Sequence, residues 1–97
     1  MLPQSEDHSR IETNLEVIQK YLTNRFPGYT ITERAFPNLY YTFTATNTEL
    51  QSAYKLRVDW ARLVDRKNTP DRLWSILTTG FVASEMVRLG GTYYILK

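Results

Sequence analysis

The stretch Tyr54-Lys55-Leu56-Arg57-Val58-Asp59 alternates apolar and charged residues without interruption. Side chains of a β-strand point alternately to the two faces of a sheet, so this stretch predicts a strand with one apolar face and one charged face. We expect the apolar face to be buried and the charged face to lie in water. Such a strand needs neighbouring strands and a cover for its apolar face, and the flanking segments are expected to supply both.

Two more strands are predicted upstream of this stretch. Residues 29–36 are rich in β-branched and aromatic side chains, Pro37-Asn38 marks a turn, and residues 39–46 form the second strand. The residues expected on the more exposed face of that second strand are Tyr40, Thr42, Thr44 and Thr46. Because the connections are short, residues 29–59 are predicted to form an antiparallel three-stranded meander.

A long amphipathic helix is predicted before the strands. The apolar residues that recur at spacings of three and four, and so share one helical face, are Ile11, Leu15, Ile18 and Leu22. The segment Ser9-Arg10-Ile11-Glu12 fits a capping box at the helix start, and Pro27-Gly28 ends the helix. Residues 1–8 are expected to form a flexible tail, followed by a single domain over residues 9–97.

Two short helices are predicted after the meander. The apolar spacing changes to three and four at Trp60, which predicts a helix to Lys67 that Asp59 could cap. Thr69 is a suitable N-cap for a second helix that ends near Gly80.

The segment at residues 81–89 fits two structures. It can be a helix closed by Gly90, or a strand joined through Gly90-Gly91 to a final strand at residues 92–96. The Gly-Gly pair favours the hairpin. The predicted fold class is therefore α+β: an N-terminal amphipathic helix packed on an antiparallel three-stranded meander, followed by two short helices and a C-terminal strand or hairpin.

Composition limits the chemistry that the chain can perform. The 97 residues include no cysteine and one histidine, so we expect neither a disulfide nor a metal site, and no cofactor motif is present. The first eight residues do not resemble a signal peptide, and no apolar run approaches the roughly 20 residues that a membrane span needs. We therefore expect a cytoplasmic protein with no membrane partner.

The leading functional hypothesis is a small non-enzymatic interaction or regulatory module. Aromatic residues make up 13% of the chain, more than one three-stranded sheet is expected to cover, and aromatic side chains are favoured at protein interfaces. The edge strands of the meander also present unpaired backbone groups that could pair with a second copy of the chain. The candidate interface residues are Tyr40, Thr42, Thr44, Trp74 and Tyr93.

Nucleic-acid binding is the alternative hypothesis. Residues 50–72 carry six bases against three acids, a net charge of +3. The six candidate phosphate-binding bases are Lys55, Arg57, Arg62, Arg66, Lys67 and Arg72. If the surfaces that carry them are contiguous, these cations would bind phosphate oxygens without reading base sequence.

Two element orders are compatible with this alternative. A helix, three strands and a helix is the order found in double-stranded-RNA-binding domains. Two short helices with a tight turn at residues 68–70, followed by a hairpin, is similar to a winged helix-turn-helix. In a double-stranded-RNA-binding domain the second helix is expected to begin with basic residues, and that start is absent here. In a winged helix-turn-helix, residues 72–79 would be the recognition helix, and they carry only one cation.

A nuclease that works without histidine is the third hypothesis. Lys55 and Arg57 could hold a phosphate while Tyr54 moves a proton. The sequence holds no further arrangement of nucleophile and base that points to catalysis, so an enzyme is the least favoured class.

Overall fold

The computed structural model describes the backbone of residues 3–96 and the side chains of residues 9–96. Its elements, in chain order, are α1 (Pro3–Arg25), β1 (Thr30–Phe36), β2 (Tyr40–Asn47), β3 (Ser52–Asp59), α2 (Trp60–Val64), α3 (Pro70–Thr79), α4 (Val82–Leu89) and β4 (Tyr93–Leu96). The predicted α+β class and the three-stranded meander are confirmed.

The four strands form one sheet in the order β1-β2-β3-β4. β1 pairs antiparallel with β2, and β2 pairs antiparallel with β3. β4 then joins β3 in parallel, so the C-terminal strand extends the sheet as expected. Because parallel neighbours need a long connection, α2, α3 and α4 form the crossover between β3 and β4.

The inner face of the sheet is the one that the helices cover. Leu56 lies opposite Phe43 and Val58 lies opposite Tyr41, and Leu56, Phe43 and Val58 are fully buried. The helix residues that complete this core include Ile18, Leu22, Leu63, Leu73, Leu77, Val82 and Met86. The alternation in residues 54–59 therefore has the orientation that the sequence predicts.

The hairpin favoured for residues 81–96 is wrong, because residues 82–89 form the helix α4. Val82 and Met86 are four residues apart and both are buried, which is the spacing of one helical face. Gly90 has a positive φ of 66° and ends this helix, so it is not part of a hairpin turn.

The predicted start of α1 at Ser9 is also wrong, because the helix begins at Pro3. The Ser9 carbonyl accepts a hydrogen bond from Thr13 Oγ1 at 2.9 Å, so Ser9 lies within the helix. A proline fits the first helical turn, where its missing N–H is not needed. Met1 and Leu2 of the predicted tail lie outside the described residues, and the flexibility of residues 3–8 stays a prediction.

The two predicted helix caps differ in outcome. Thr69 caps α3, since its Oγ1 accepts a hydrogen bond from the Arg72 N–H at 3.2 Å. Asp59 occupies the N-cap position of α2 but makes no capping hydrogen bond. Its carboxylate instead accepts from Arg57 Nε at 3.3 Å. A charged partner on the same strand face competes here with the backbone N–H groups of the helix.

Replacing Leu56 with alanine tests the inner face. Leu56→Ala is expected to lower the free energy of unfolding by about 2–5 kcal/mol, because it removes buried methyl groups and leaves a cavity. Urea denaturation measures this loss. Lys55→Ala, on the opposite face of the same strand, is expected to cost less than about 1 kcal/mol. A cost below ~1 kcal/mol for Leu56→Ala would contradict the face assignment.

Candidate functional site

The outer face of the sheet, opposite the helices, carries the candidate site. Its residues, in strand order, are Thr30, Thr32, Arg34, Phe36, Tyr40, Thr42, Thr44, Thr46, Ala53, Lys55, Arg57, Asp59, Tyr93 and Ile95. None of them belongs to the hydrophobic core or packs against it. The outer face is therefore available for contacts with other molecules.

Cations and aromatic rings alternate on the outer face. The three cation–ring pairs are Arg57 over Tyr40 at 4.2 Å, Lys55 over Tyr93 at 5.2 Å and Arg34 over Phe36 at 5.2 Å, measured to the ring centroids. The rings of Phe36 and Tyr40 also lie 4.7 Å apart. Each pair holds a long cationic side chain in a defined position on the sheet.

The electrostatic balance of the outer face is positive. Arg34, Lys55 and Arg57 carry positive charge, and Asp59 is the face's single carboxylate. Asp59 bonds Arg57, with about two fifths of each side chain exposed, so water weakens this ion pair. Arg34 and Lys55 make no ion pair with any described carboxylate.

Threonines occupy the centre of the outer face. Thr42 lies directly between Arg34 on β1 and Arg57 on β3, and it is 7% exposed. Thr44 occupies the equivalent position between Thr32 and Lys55. Because threonine side chains are short, the longer cationic and aromatic side chains extend farther from the sheet.

A second positive surface, the basic groove, lies beside the end of β3. It has a volume of about 410 Å³, and its lining includes Asp59, Arg62, Asp65, Lys67, Asn68, Arg72 and Leu96. Both carboxylates already have donors within the chain: Asp59 bonds Arg57, and Asp65 accepts from the Lys67 N–H at 2.9 Å. Within residues 9–96, no ion pair joins Arg62 or Arg72 to a carboxylate.

A buried amide fixes the position of the basic groove. Asn14 on α1 is fully buried, and its Nδ2 donates to the backbone oxygens of Leu63 at 3.0 Å and Asn68 at 3.2 Å. Asn68 in turn donates from Nδ2 to the Arg62 oxygen at 2.9 Å. These bonds tie α1 to the end of α2 and to the loop between α2 and α3, the region that carries Arg62 and Lys67 of the groove.

The structure brings most of the predicted phosphate-binding bases together. Lys55 and Arg57 lie on the outer face, and the basic groove contains Arg62, Lys67 and Arg72. Asp59 belongs to both surfaces, so the two are adjacent. Arg66 does not line the groove.

Sequence reasoning missed two outer-face residues, Arg34 and Phe36. The signal was present, because both are an even number of residues from Thr30 and Thr32 and so share their face. Residues 29–36 do not alternate regularly between apolar and polar side chains, so the pattern does not indicate which residues share the outer face.

The predicted interface residues do not form one surface. Tyr40, Thr44 and Tyr93 lie on the outer face, but Thr42 there is too buried to offer contact area. Trp74 lies elsewhere, on α3, with its ring edge-on to Tyr21 at 5.8 Å. Five residues that shared an amphipathic character in sequence are thus divided between the sheet and the helices.

The residues of the nuclease hypothesis are also separated. Tyr54 points to the inner face, where its ring stacks on Phe26 at 5.6 Å. Lys55 and Arg57 point to the outer face. These three side chains do not share a site.

A third surface, the edge groove, lies between α1 and the free edge of β1. It has a volume of about 630 Å³ and is lined by Glu12, Leu15, Glu16, Gln19, Lys20 and Glu33. Burial raises the pKa of Glu33 above its ordinary value. Glu33 as a residue is exposed, but its carboxyl group sits on the inner face opposite the buried Phe43 and is partly shielded from water, which explains the direction of the shift.

Comparison with known proteins gives no relative. No family model matches the chain, and no curated protein or solved structure matches it significantly. Over residues 3–96, no helix has the length and apolar character needed to cross a membrane. Among the side chains of residues 9–96, no three carboxylate, histidine or cysteine groups lie together so that they could hold a metal ion.

Replacing Asn14 with leucine tests the buried amide. Asn14→Leu is expected to lower the free energy of unfolding by about 1–3 kcal/mol, because the Leu63 and Asn68 oxygens lose a buried donor. Chemical denaturation measures the change. Asn24→Leu, an exposed position on the same helix, is the matched control and is expected to change stability by less than ~0.5 kcal/mol. Equal effects of the two substitutions would contradict the role of Asn14.

Replacing Glu33 with glutamine is expected to raise the melting temperature at pH 7, because burial penalises the ionised carboxyl group in the folded chain. Its raised pKa means that the folded chain holds more protons than the unfolded chain just above pH 4.5. The wild type therefore loses stability as the pH rises through that window. Calorimetry at a few micromolar protein should show a gain at pH 7 that disappears at pH 3.5; an undiminished gain at pH 3.5 would contradict this cause.

Proposed function

We propose that this protein binds single-stranded nucleic acid across the outer face of its sheet. The observation that carries the proposal is the set of cation–ring pairs on a sheet face that no core residue occupies. Rings stack on bases of any sequence, and cations bind the phosphates between them. A face that offers both at fixed positions suits a polyanion with exposed bases.

The arrangement of the rings supports a single strand as the ligand. Tyr40 on β2 and Tyr93 on β4 are separated by one intervening strand, which corresponds to about 10 Å across the sheet. Their partners on β3, Asp59 and Lys55, are four residues apart, so the two rings are also offset by about 13 Å along the strands. Open four-stranded sheets that bind single-stranded RNA stack two or three bases on aromatic rings of the sheet face. In a duplex the bases are stacked on one another and cannot reach these rings.

The basic groove offers a binding surface for the phosphate backbone of the nucleic acid where that strand leaves the sheet. Arg62, Lys67 and Arg72 come from α2, the following loop and α3, and they converge beside Asp59 at the end of β3. A strand that crosses the outer face along Lys55 and Arg57 would meet this groove next. The affinity is then expected to depend strongly on salt, since each bound phosphate releases counterions.

A protein-interaction module is the second candidate function. The observation that favours it is an apolar cluster at α4, where Phe81 at the N-cap is 68% exposed and Val87 is 47% exposed, and both line one groove. Trp74 on α3 is a further exposed aromatic residue, at 36%. Phe81 also has a positive φ of 51°, a costly conformation for an aromatic residue. This cluster lies on different elements from the outer face, so the two functions can be tested separately.

Fluorescence anisotropy with labelled single-stranded RNA and DNA, across a salt series, tests the leading proposal. The double change Lys55→Ala/Arg57→Ala is expected to weaken binding at least tenfold and to make the salt dependence shallower by about 0.7 per lost phosphate contact. Tyr93→Ala is expected to cost about 1–3 kcal/mol of binding energy with little change in salt dependence, because it removes a stacking ring and the cation–ring contact of Lys55 but keeps the charge of Lys55.

The matched control removes the same charge from the helices. Lys20→Ala/Arg88→Ala takes one lysine and one arginine from α1 and α4 and is expected to leave affinity within about twofold. Absence of binding at low salt, or equal losses from both double variants, refutes the proposal and leaves the interaction module. Tighter binding of duplex than of single strands contradicts base stacking. Oligonucleotide length after incubation shows whether cleavage occurs.

A further inference from the structure

The sheet ends at β1, and this strand has a free edge. β1 is seven residues long, whereas β4, the strand at the other edge, has four. No proline interrupts the seven residues, and the backbone groups on their free side have no strand to pair with. Such an edge is a template for another strand.

The residues of β1 define how a second copy of the chain would pair with it. Opposite residues of an antiparallel pair share one sheet face, so the register that pairs all seven residues is centred on Glu33. In this register Thr30 meets Phe36, Ile31 meets Ala35, Thr32 meets Arg34, and Glu33 meets its own copy. A two-fold contact of this kind closes on itself and stops at two copies.

This register is self-complementary except at its centre. Ile31 and Ala35 place apolar groups together on the inner face, and Thr32 places a hydroxyl group beside Arg34 on the outer face. Two ionised Glu33 carboxylates directly opposite each other would repel. The other directly opposite pairs in the register are compatible with association, and the two Arg34 side chains lie diagonally to each other on the outer face, farther apart than the two Glu33 carboxylates.

We propose that the free edge of β1 is a self-pairing surface that Glu33 controls. When both Glu33 carboxylates are ionised the copies stay apart. When the pair carries at most one negative charge, two copies join edge to edge into an eight-stranded sheet. This proposal does not depend on nucleic-acid binding, because it uses a different part of the sheet.

The charges around Glu33 set the direction of the pH dependence. From α1 it faces Glu12, Glu16 and Lys20 across the edge groove, and its neighbour on β2 is the uncharged Phe43. The adjacent Arg34 points to the outer face. Burial raises the pKa of Glu33, so this carboxyl group gains its proton at a higher pH than an ordinary glutamate. Pairing is therefore expected to increase as the solution becomes acidic.

A single introduced cysteine tests the register. The chain has no cysteine, and residues opposite each other in an antiparallel pair have Cβ atoms about 4.5–5.5 Å apart, close to the spacing of a disulfide. Glu33→Cys removes the charge and is expected to form disulfide-linked dimers under mild oxidation at least ten times faster than Glu49→Cys. Glu49→Cys makes the same change in the turn between β2 and β3 and is the matched control.

Sedimentation equilibrium tests, without a cross-link, whether the charge of Glu33 controls the pairing. Glu33→Gln is expected to be dimeric at pH 7 at a concentration where the wild type and Glu49→Gln are monomeric. The wild type is expected to shift toward the dimer between pH 7 and pH 4.5, with circular dichroism confirming that it remains folded. A wild type whose mass does not change over this range, or a Glu33→Cys variant that cross-links no faster than Glu49→Cys, overturns the proposal.

Discussion

The parallel pairing of β4 with β3 decides where the other elements of this protein lie. Parallel neighbours cannot be joined by a tight turn, so the chain between them has to cross the sheet. The crossing helices α2, α3 and α4 bury their apolar residues in the same core as α1. All four helices therefore share one side of the sheet, and the outer face remains uncovered along all four strands.

Hydrogen bonds add to apolar packing in positioning the start of the crossover, where Leu63 is fully buried. The loop between α2 and α3 is polar, and the backbone oxygens of Leu63 and Asn68 are bonded by the amide of Asn14. A buried amide that donates to two carbonyl groups restricts their relative positions to the distances and angles of its hydrogen bonds. The same three residues thus connect the helical core to the cations of the basic groove.

The sequence predicted those features that depend on local periodicity. Alternation placed Leu56 and Val58 inside the sheet, and Thr69 with Pro70 marked the start of α3. Features that depend on distant partners were missed. Gly90-Gly91 is compatible with both a hairpin and a helix end, and the burial of Val82 and Met86 against the rest of the core selects the helix. The buried partners of Asn14 lie 49 and 54 residues away along the chain, so no local pattern could reveal its role.

The cations of the outer face also affect the protein in the absence of any ligand. Lys55 and Arg57 are two residues apart on one strand face, which holds their backbones about 7 Å apart, and Arg34 lies in the same row as Arg57. Like charges held at fixed spacing repel, and salt screens that repulsion. Added salt is therefore expected to relieve an electrostatic cost of folding at the same side chains that we propose bind phosphate. If they do, the stability of the fold and the affinity for polyanions respond to ionic strength in opposite directions.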